Sequence, residues 1–280
     1  MNVVRSATEL RGALDAAQAP GVTVGFVPTM GALHEGHLSL VGAAREQCDV
    51  VVISIFVNPL QFGPHDDLDA YPRDEATDLA LANAAGVDIV FIPSIDEMYP
   101  PGAATTISTG ALGMILEGAD RPGHFDGVAT VVAKLFNLVE PDSVFVGQKD
   151  AQQVAVLKQF VRDLSYDIEL IVCPTIREPD GLALSSRNVY LSAEERPHAT
   201  ALHRALELGI AIRSEESDEA AEKMMWDLLE SEGLRPSYVK VVDPDTFGEP
   251  VPGTAALLVV AAQLGTTRLI DNMLADPEGG

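Results

Sequence analysis

The sequence predicts an α/β fold: a doubly wound, Rossmann-like parallel sheet followed by a second, smaller α+β domain. Three observations carry this. The run Val50 to Val57 is almost wholly apolar and β-branched, as in a strand buried on both faces. It closes a strand–helix–strand unit (22–27, 36–47, 50–57), and parallel strands need such a crossover. After Pro174 the texture changes to a polar, glycine-containing segment, then two helices, then strands. The boundary is therefore placed between a domain at 1–175 and one at 176–280.

In chain order, residues 3–19 read as an amphipathic helix on Val3, Val4, Leu10 and Leu14, with Ser6 or Thr8 as its cap. Strand 22–27, a glycine-containing turn, helix 36–47 and strand 50–57 follow. Residues 58–73 form a long loop rich in Pro, Asp and Gly, a length that usually signals function or disorder. Helix 74–85 and strand 87–92 come next, then an irregular stretch at 96–126. Helix 128–139, strand 143–147, helix 151–162 and strand 168–173 complete five alternating strands. Ligands of such a sheet bind at the carboxyl ends of its strands. The second domain is predicted to hold helices at 193–213 and 218–232, strands near 238–242 and 256–263, and a closing segment at 264–270. The tail Pro277–Gly280 is expected to fray.

The formal net charge is −24. Residues 1–175 hold 9 basic against 23 acidic side chains, and 176–280 hold 9 against 19. Neither part offers a basic face, which argues against a nucleic-acid partner. No apolar run reaches membrane-span length, and no secretory h-region follows Met1, so no membrane association and a cytoplasmic location are expected. Cys48 and Cys173 lack metal or redox spacing and read as two separate reduced thiols.

Against this acidity the few cations beside glycines and hydroxyls matter. In Pro28-Thr-Met-Gly-Ala-Leu-His-Glu-Gly-His37 the two histidines stand where the helix should begin. A helix start presents unpaired N–H groups and positive dipole character, and so suits an anion. His34 and His37 would add hydrogen bonds to a phosphate, and Gly36 would let backbone approach it. A zinc site fits poorly, because the histidines are three apart rather than four and no third ligand cluster stands out. Helix capping by the two rings is the structural alternative. Lys149 in Gly147-Gln-Lys-Asp150 also precedes a helix, which is unfavourable for the dipole unless an anion is near. The chain has only five lysines, which weakens its reading as a plain surface residue. Leu184-Ser-Ser-Arg-Asn188 offers two hydroxyls and a guanidinium in a loop; a solvated loop capping the next helix is its alternative. Gln61 and Gln153 are neutral amides at strand ends, suited to a carboxylate or hydroxyl substrate, though either alone reads as an ordinary polar residue.

Together with Val57-Asn-Pro-Leu-Gln-Phe62, Tyr71-Pro-Arg73, Arg121-Pro-Gly-His-Phe125, Gly147-Gln-Lys-Asp-Ala-Gln-Gln153 and Gly265-Thr-Thr-Arg-Leu-Ile-Asp-Asn272, these motifs resemble the pantothenate synthetase (pantoate–β-alanine ligase) family. They occur in the family's order across nearly the whole chain. The resemblance implies membership of the His-x-Gly-His nucleotidyltransferases and a two-step ligation: ATP and pantoate give a pantoyl adenylate and pyrophosphate, then β-alanine displaces AMP to give pantothenate. It implies catalytic roles for His34, His37, Lys149, Ser185, Ser186 and Arg187 on the triphosphate, with Mg²⁺ bridging the phosphates rather than bound directly by protein. His37 would be the acid partner of the departing pyrophosphate, in a mainly electrostatic role. The implied ATP site also takes in Met30, Gly31, Ala32, Leu33, Glu35, Gly36, Gly147, Gln148, Asp150, Ile176 and Leu184, with Met30 at the adenosine and Asp150 at the ribose. Gln61 and Gln153 would bind pantoate, with Gln61 also near β-alanine. A homodimer is implied. Two departures stand out: the family usually has Glu where Gln148 stands and an aromatic where Ala151 stands.

Two rivals remain. One is another His-x-Gly-His nucleotidyltransferase making a dinucleotide, which leaves Asn58–Gln61 and Arg121–Phe125 unexplained. The other is a catalytically silent ATP-binding regulator, which the intact cations oppose.

Overall fold

The computed structural model describes residues 1–276 except Gln18, His65 and Asp67. The expectation for Pro277–Gly280 lies outside the described residues. Two compact units are formed, one by Met1–Gly147 with Val156–Cys173, the other by Gln148–Ala155 with Pro174–Gly280.

In the first unit, β1 (Asn2–Val4), β2 (Val24–Thr29), β3 (Val50–Ile55), β4 (Ile89–Phe91), β5 (Ser143–Gly147) and β6 (Glu169–Cys173) form one sheet. Its order is β1-β4-β3-β2-β5-β6, and every pairing is parallel. All of β3 except Ile55 is buried, as its apolar run, broken only by Ser54, leads one to expect. Helices α1 (Ala7–Ala17), α2 (Glu35–Gln47), α3 (Glu75–Ala84), α4 (Ile95–Met98), α5 (Glu117–Asp120) and α6 (His124–Val139) belong to this unit. Leu40, Val41 and Ala44 of α2 and Ala82 of α3 pack on Val27, Val51, Ile53 and Val90. Helix α7 (Ala151–Asp163) starts among the second unit's residues and ends among the first's. Its Phe160 meets Phe136 of α6 at 5.9 Å and Tyr166 at 5.1 Å between ring centroids.

Several elements differ from expectation. Residues 2–4 are not helical but form an edge strand in register with Ile89–Phe91, which makes the sheet six-stranded among the described residues. The helix starts at Ala7, because Ser6 Oγ accepts the Glu9 N–H at 3.2 Å while the Glu9 carboxylate accepts the Ser6 N–H at 3.1 Å. Within 96–126 the chain makes α5 and a 3-10 turn, Gly110–Met114. Helix α6 begins four residues early, where Gly123 takes φ +83° at its N-terminus.

The second unit contains α8 (Glu195–Ala199), α9 (Ala201–Glu215) and α10 (Asp218–Ser231), with an antiparallel sheet β7 (Arg235–Val242), β8 (Ala256–Leu264), β9 (Thr267–Ala275). The helix expected at 193–213 is broken at Thr200, which ends α8 and precedes α9 and whose hydroxyl donates to the Pro197 carbonyl at 2.7 Å. The closing segment is half of a hairpin, since Leu264 pairs with Thr267 across a turn where Gly265 has φ +56°. The core joins Leu202 and Leu206 of α9, Met225 and Leu229 of α10, and Leu258 and Val260 of β8. Gly209 lets α9 lie close here, because a Cβ would meet Met225 Sδ at 2.4 Å and Leu258 Cδ2 at 2.7 Å. Gly209→Ala is expected to destabilise the chain by about 1–3 kcal/mol through overpacking. A lower denaturant midpoint at constant m checks this.

Candidate active site

In the first unit the chain runs from β2 to β3 on one side, while β5 lies on the other side of β2. This reversal is the topological switch point, and ligands of doubly wound sheets sit at the carboxyl ends there. The turn leaving β2 is built by a short series of hydrogen bonds. Thr29 Oγ1 donates to the Ser54 carbonyl of β3 at 2.7 Å and accepts the Gly31 N–H at 3.2 Å. Gly31 has φ +85°, the left-handed region that glycine tolerates, and Ala32 follows at +50°. The buried Asp78 carboxylate of α3 then receives the Ala32 N–H at 3.0 Å and the Leu33 N–H at 2.7 Å.

His34 is the N-cap of α2. Its Nδ1 accepts the Gly36 N–H at 3.1 Å, and His37 Nδ1 accepts the His34 N–H at 3.4 Å, a capping box made from two imidazoles. The ring centroids lie 4.1 Å apart. In a neutral imidazole one nitrogen accepts and the other carries the proton. With both Nδ1 atoms accepting from backbone, the hydrogen-bond network assigns the proton of each neutral ring to Nε2. The two histidines therefore cap the helix and also supply N–H donors at its positive end.

Beyond β3, Asn58 organises the loop. It is buried and caps the 3-10 turn Pro59–Gln61. Its Nδ2 donates to Gln61 Oε1 and to the Gly127 carbonyl, each at 3.1 Å, and its Oδ1 accepts the Tyr99 hydroxyl at 2.8 Å. Burial pushes the Tyr99 phenol well above its ordinary pKa, so the hydroxyl stays a donor. This turns the Gln61 amide so that its Nε2 faces Met30 Sδ at 3.2 Å. The loop can approach α6 only because residue 127 is glycine: a Cβ would stand 2.3 Å from the Leu60 carbonyl oxygen. His124 Nδ1 donates to the Gln61 carbonyl at 2.8 Å, and Arg121 pairs with Asp66 at 2.9 Å. Burial works to raise the Asp66 pKa, but the Gly63 N–H and Arg121 outweigh it and hold the carboxyl below its ordinary range.

In the second unit, Gln148, Lys149 and Asp150 form a 3-10 turn before α7, with Lys149 Nζ 3.8 Å from the Asp150 carboxylate. Gln153 lies one turn on. Ile176 and Leu184 bracket a tight turn, with the Leu184 N–H on the Ile176 carbonyl at 2.9 Å. Arg177 pairs with Asp271 through Nη1–Oδ2 at 2.6 Å and Nη2–Oδ1 at 2.9 Å. Arg196 binds Asp180 and Glu178, and its hydrogen bond holds the Asp180 carboxyl low. Ser185 caps the 3-10 turn Ser186–Tyr190 by accepting the Arg187 N–H at 3.3 Å.

The first unit thus gathers Met30, His34, His37 and Gln61 at strand ends, and the second carries Lys149, Asp150, Gln153 and Ser185–Arg187. Sequence reasoning gave no part to Asp78, Asn58, Tyr99 and Gly127. Asn58 carried a local signal, as the residue before a Pro in a loop-opening motif. Cys48 and Cys173 are separate buried thiols, and burial pushes both pKa values up.

A doubly wound sheet whose switch point carries a histidine-capped helix start defines a Rossmann-type α/β protein suited to an anionic ligand. The family model described as Pantoate-beta-alanine ligase matches residues 2–274, and the chain belongs to that family. A pantothenate synthetase of Chloroflexus aurantiacus is 52% identical, with all of both chains covered. That of Caldicellulosiruptor saccharolyticus is 50% identical over 99% of this chain and all of its own. The crystal structure of pantothenate synthetase from Thermus thermophilus superposes with a TM-score of 0.90 at 47% identity, covering 98% of this chain and 99% of that one. The pantoate–β-alanine ligase of Francisella tularensis, complexed with β,γ-ATP and β-alanine, gives 0.85 at 34% identity, covering 100% and 99%.

Asp78→Ala would leave two turn N–H groups unpaired, each costing about 1–3 kcal/mol where buried. Hydrogen exchange at Ala32 and Leu33 should accelerate at least tenfold; unchanged protection at both would refute the role given to Asp78 in holding this turn.

Proposed function

We propose that this chain joins pantoate to β-alanine at the expense of ATP, releasing AMP and pyrophosphate. The single observation that carries the reading is family membership across residues 2–274. The histidine-capped helix start supports it with a donor set suited to phosphate.

In the first step a pantoate carboxylate oxygen attacks the α-phosphorus of ATP. The new P–O bond forms as the bond to pyrophosphate breaks, and negative charge grows on the phosphate oxygens. The Nε2–H groups of His34 and His37, the N-terminus of α2, Lys149, Ser185, Ser186 and Arg187 are assigned to those oxygens. Donors fixed in place before reaction stabilise developing charge without reorganising. Mg²⁺ enters with the nucleotide as MgATP. Met30 is assigned to the adenosine, Asp150 to the ribose, and Gln61 and Gln153 to pantoate. The Gln61 amide suits this because Asn58 already fixes its orientation. In the second step the β-alanine amine attacks the acyl carbon, the bond to AMP breaks, and the amine loses a proton as the amide forms. An acyl adenylate hydrolyses readily, so water must be kept out; the segments 58–73 and 176–188 are the assigned covers. Gln148 in place of the family's usual Glu makes the nucleotide site less acidic.

A homodimer and a cytoplasmic location complete the proposal. Among the described residues no helix is long and apolar enough to cross a membrane.

AMP release from ATP should require both pantoate and β-alanine, whereas pyrophosphate release should require pantoate but not β-alanine. Pyrophosphate formed without pantoate would point to a different nucleotidyl acceptor. His37→Ala and Lys149→Ala should each slow pantoate-dependent ATP–pyrophosphate exchange by at least about 10²-fold, the usual loss on removing one transition-state donor.

A further inference from the structure

The geometry points to Asn272 on β9 as a positioning residue for Lys149, itself oriented by Gln148. The inference rests on the proposed assignment of Lys149 to the ATP phosphates. Successive strand residues face opposite sides of a sheet. Asp271 pairs with Val260, which lies in the core beneath the helices, and Asn272 pairs with Val259 and faces the other way. The Asn272 side chain is buried, at 4% exposure. Its Nδ2 donates to the carbonyl of Gln148 and to the carbonyl of Lys149, both at 2.9 Å. Gln148 Nε2 donates back to Asn272 Oδ1 at 3.2 Å.

These two carbonyls are not equivalent neighbours. The Gln148 carbonyl belongs to the peptide plane before the Lys149 Cα, and the Lys149 carbonyl to the plane after it. One amide nitrogen therefore pins both planes that flank this Cα, and so fixes φ, ψ and the direction in which the lysine stem leaves the backbone. A lysine ammonium rides on a flexible four-carbon stem. Fixing its root is what the backbone can do to narrow its reach. Among side chains of this length only an amide offers two hydrogens on one nitrogen and an acceptor oxygen beside it. Aspartate at 272 would set a carboxylate against two carbonyls. Glutamate at 148 would remove the donor that satisfies Asn272 Oδ1 and set carboxylate lone pairs against it. Asn272 is held in turn by its own strand: its N–H donates to Asp271 Oδ1 at 2.8 Å, and its carbonyl accepts from Arg177 at 3.3 Å. It acts through Lys149 and touches no reacting atom.

The test is a double-mutant cycle on the full chain, read by pantoate-dependent ATP–pyrophosphate exchange. Asn272→Ala is expected to lower kcat about tenfold or more, with the KM for pantoate within about twofold, because misplacement of a catalytic group appears in the chemical step. In a Lys149→Ala background the same change should cost no more than about twofold further, since groups acting through one another are not additive. Multiplicative loss in the double variant would overturn the positioning role. Near-normal exchange in Lys149→Ala alone would instead overturn the assignment of Lys149, so the two failures are distinguishable. Should Asn272→Ala not fold, Gln148→Glu decides the matter. It keeps both Asn272 donors and is expected to slow exchange about threefold, with no further loss when Lys149 is already alanine. An unchanged rate, or full additivity, would remove the amide lock.

Discussion

Two backbone N–H groups resting on one buried carboxylate hold the first unit's candidate site in place. Ala32 and Leu33 stand in a turn with consecutive left-handed residues, which is costly for alanine, and Asp78 offsets that cost by accepting both N–H groups. The turn must be fixed before His34 can stand as N-cap. His34 must be placed before its own N–H can reach His37. The same carboxylate requires glycine at 31, because a Cβ there would lie 2.8 Å from Asp78 Oδ2. The helix start, the ring tautomers and the close passage of backbone all follow from this contact.

The elements most visible in the sequence are those set by local pattern. β3 was legible because both its faces are buried, so every residue but Ser54 is apolar. The start of α2 was legible because glycines and histidines stand at the end of a strand-like run. The edge strand Asn2–Val4 was not. Three residues have no periodicity, and their state is decided by pairing with Ile89–Phe91, far along the chain. The break at Thr200 was hidden too, since Thr200 itself keeps helix-like dihedrals of −65° and −14°.

The same division runs through the candidate site. Residues that carry charge or a glycine beside a strand end announced themselves. Those that hold them did not, since Asp78 is one of several acids at the start of α3 and Asn272 one polar residue in a strand. Their work depends on approach across 45 and 124 positions of sequence. Asn58 lies between, because a helix-capping residue before proline is visible locally while its bonds to Tyr99 and Gly127 are not.

The capping imidazoles carry one consequence for proton economy. Each neutral ring holds a single proton, on Nε2, while Nδ1 is occupied by a backbone N–H. Giving that proton away completely would create an imidazolate, and doubly protonating the ring would expel the backbone donor from Nδ1 and uncap α2. With Nδ1 so occupied, each ring serves as an oriented dipole, capping the helix through one nitrogen and presenting an N–H donor through the other.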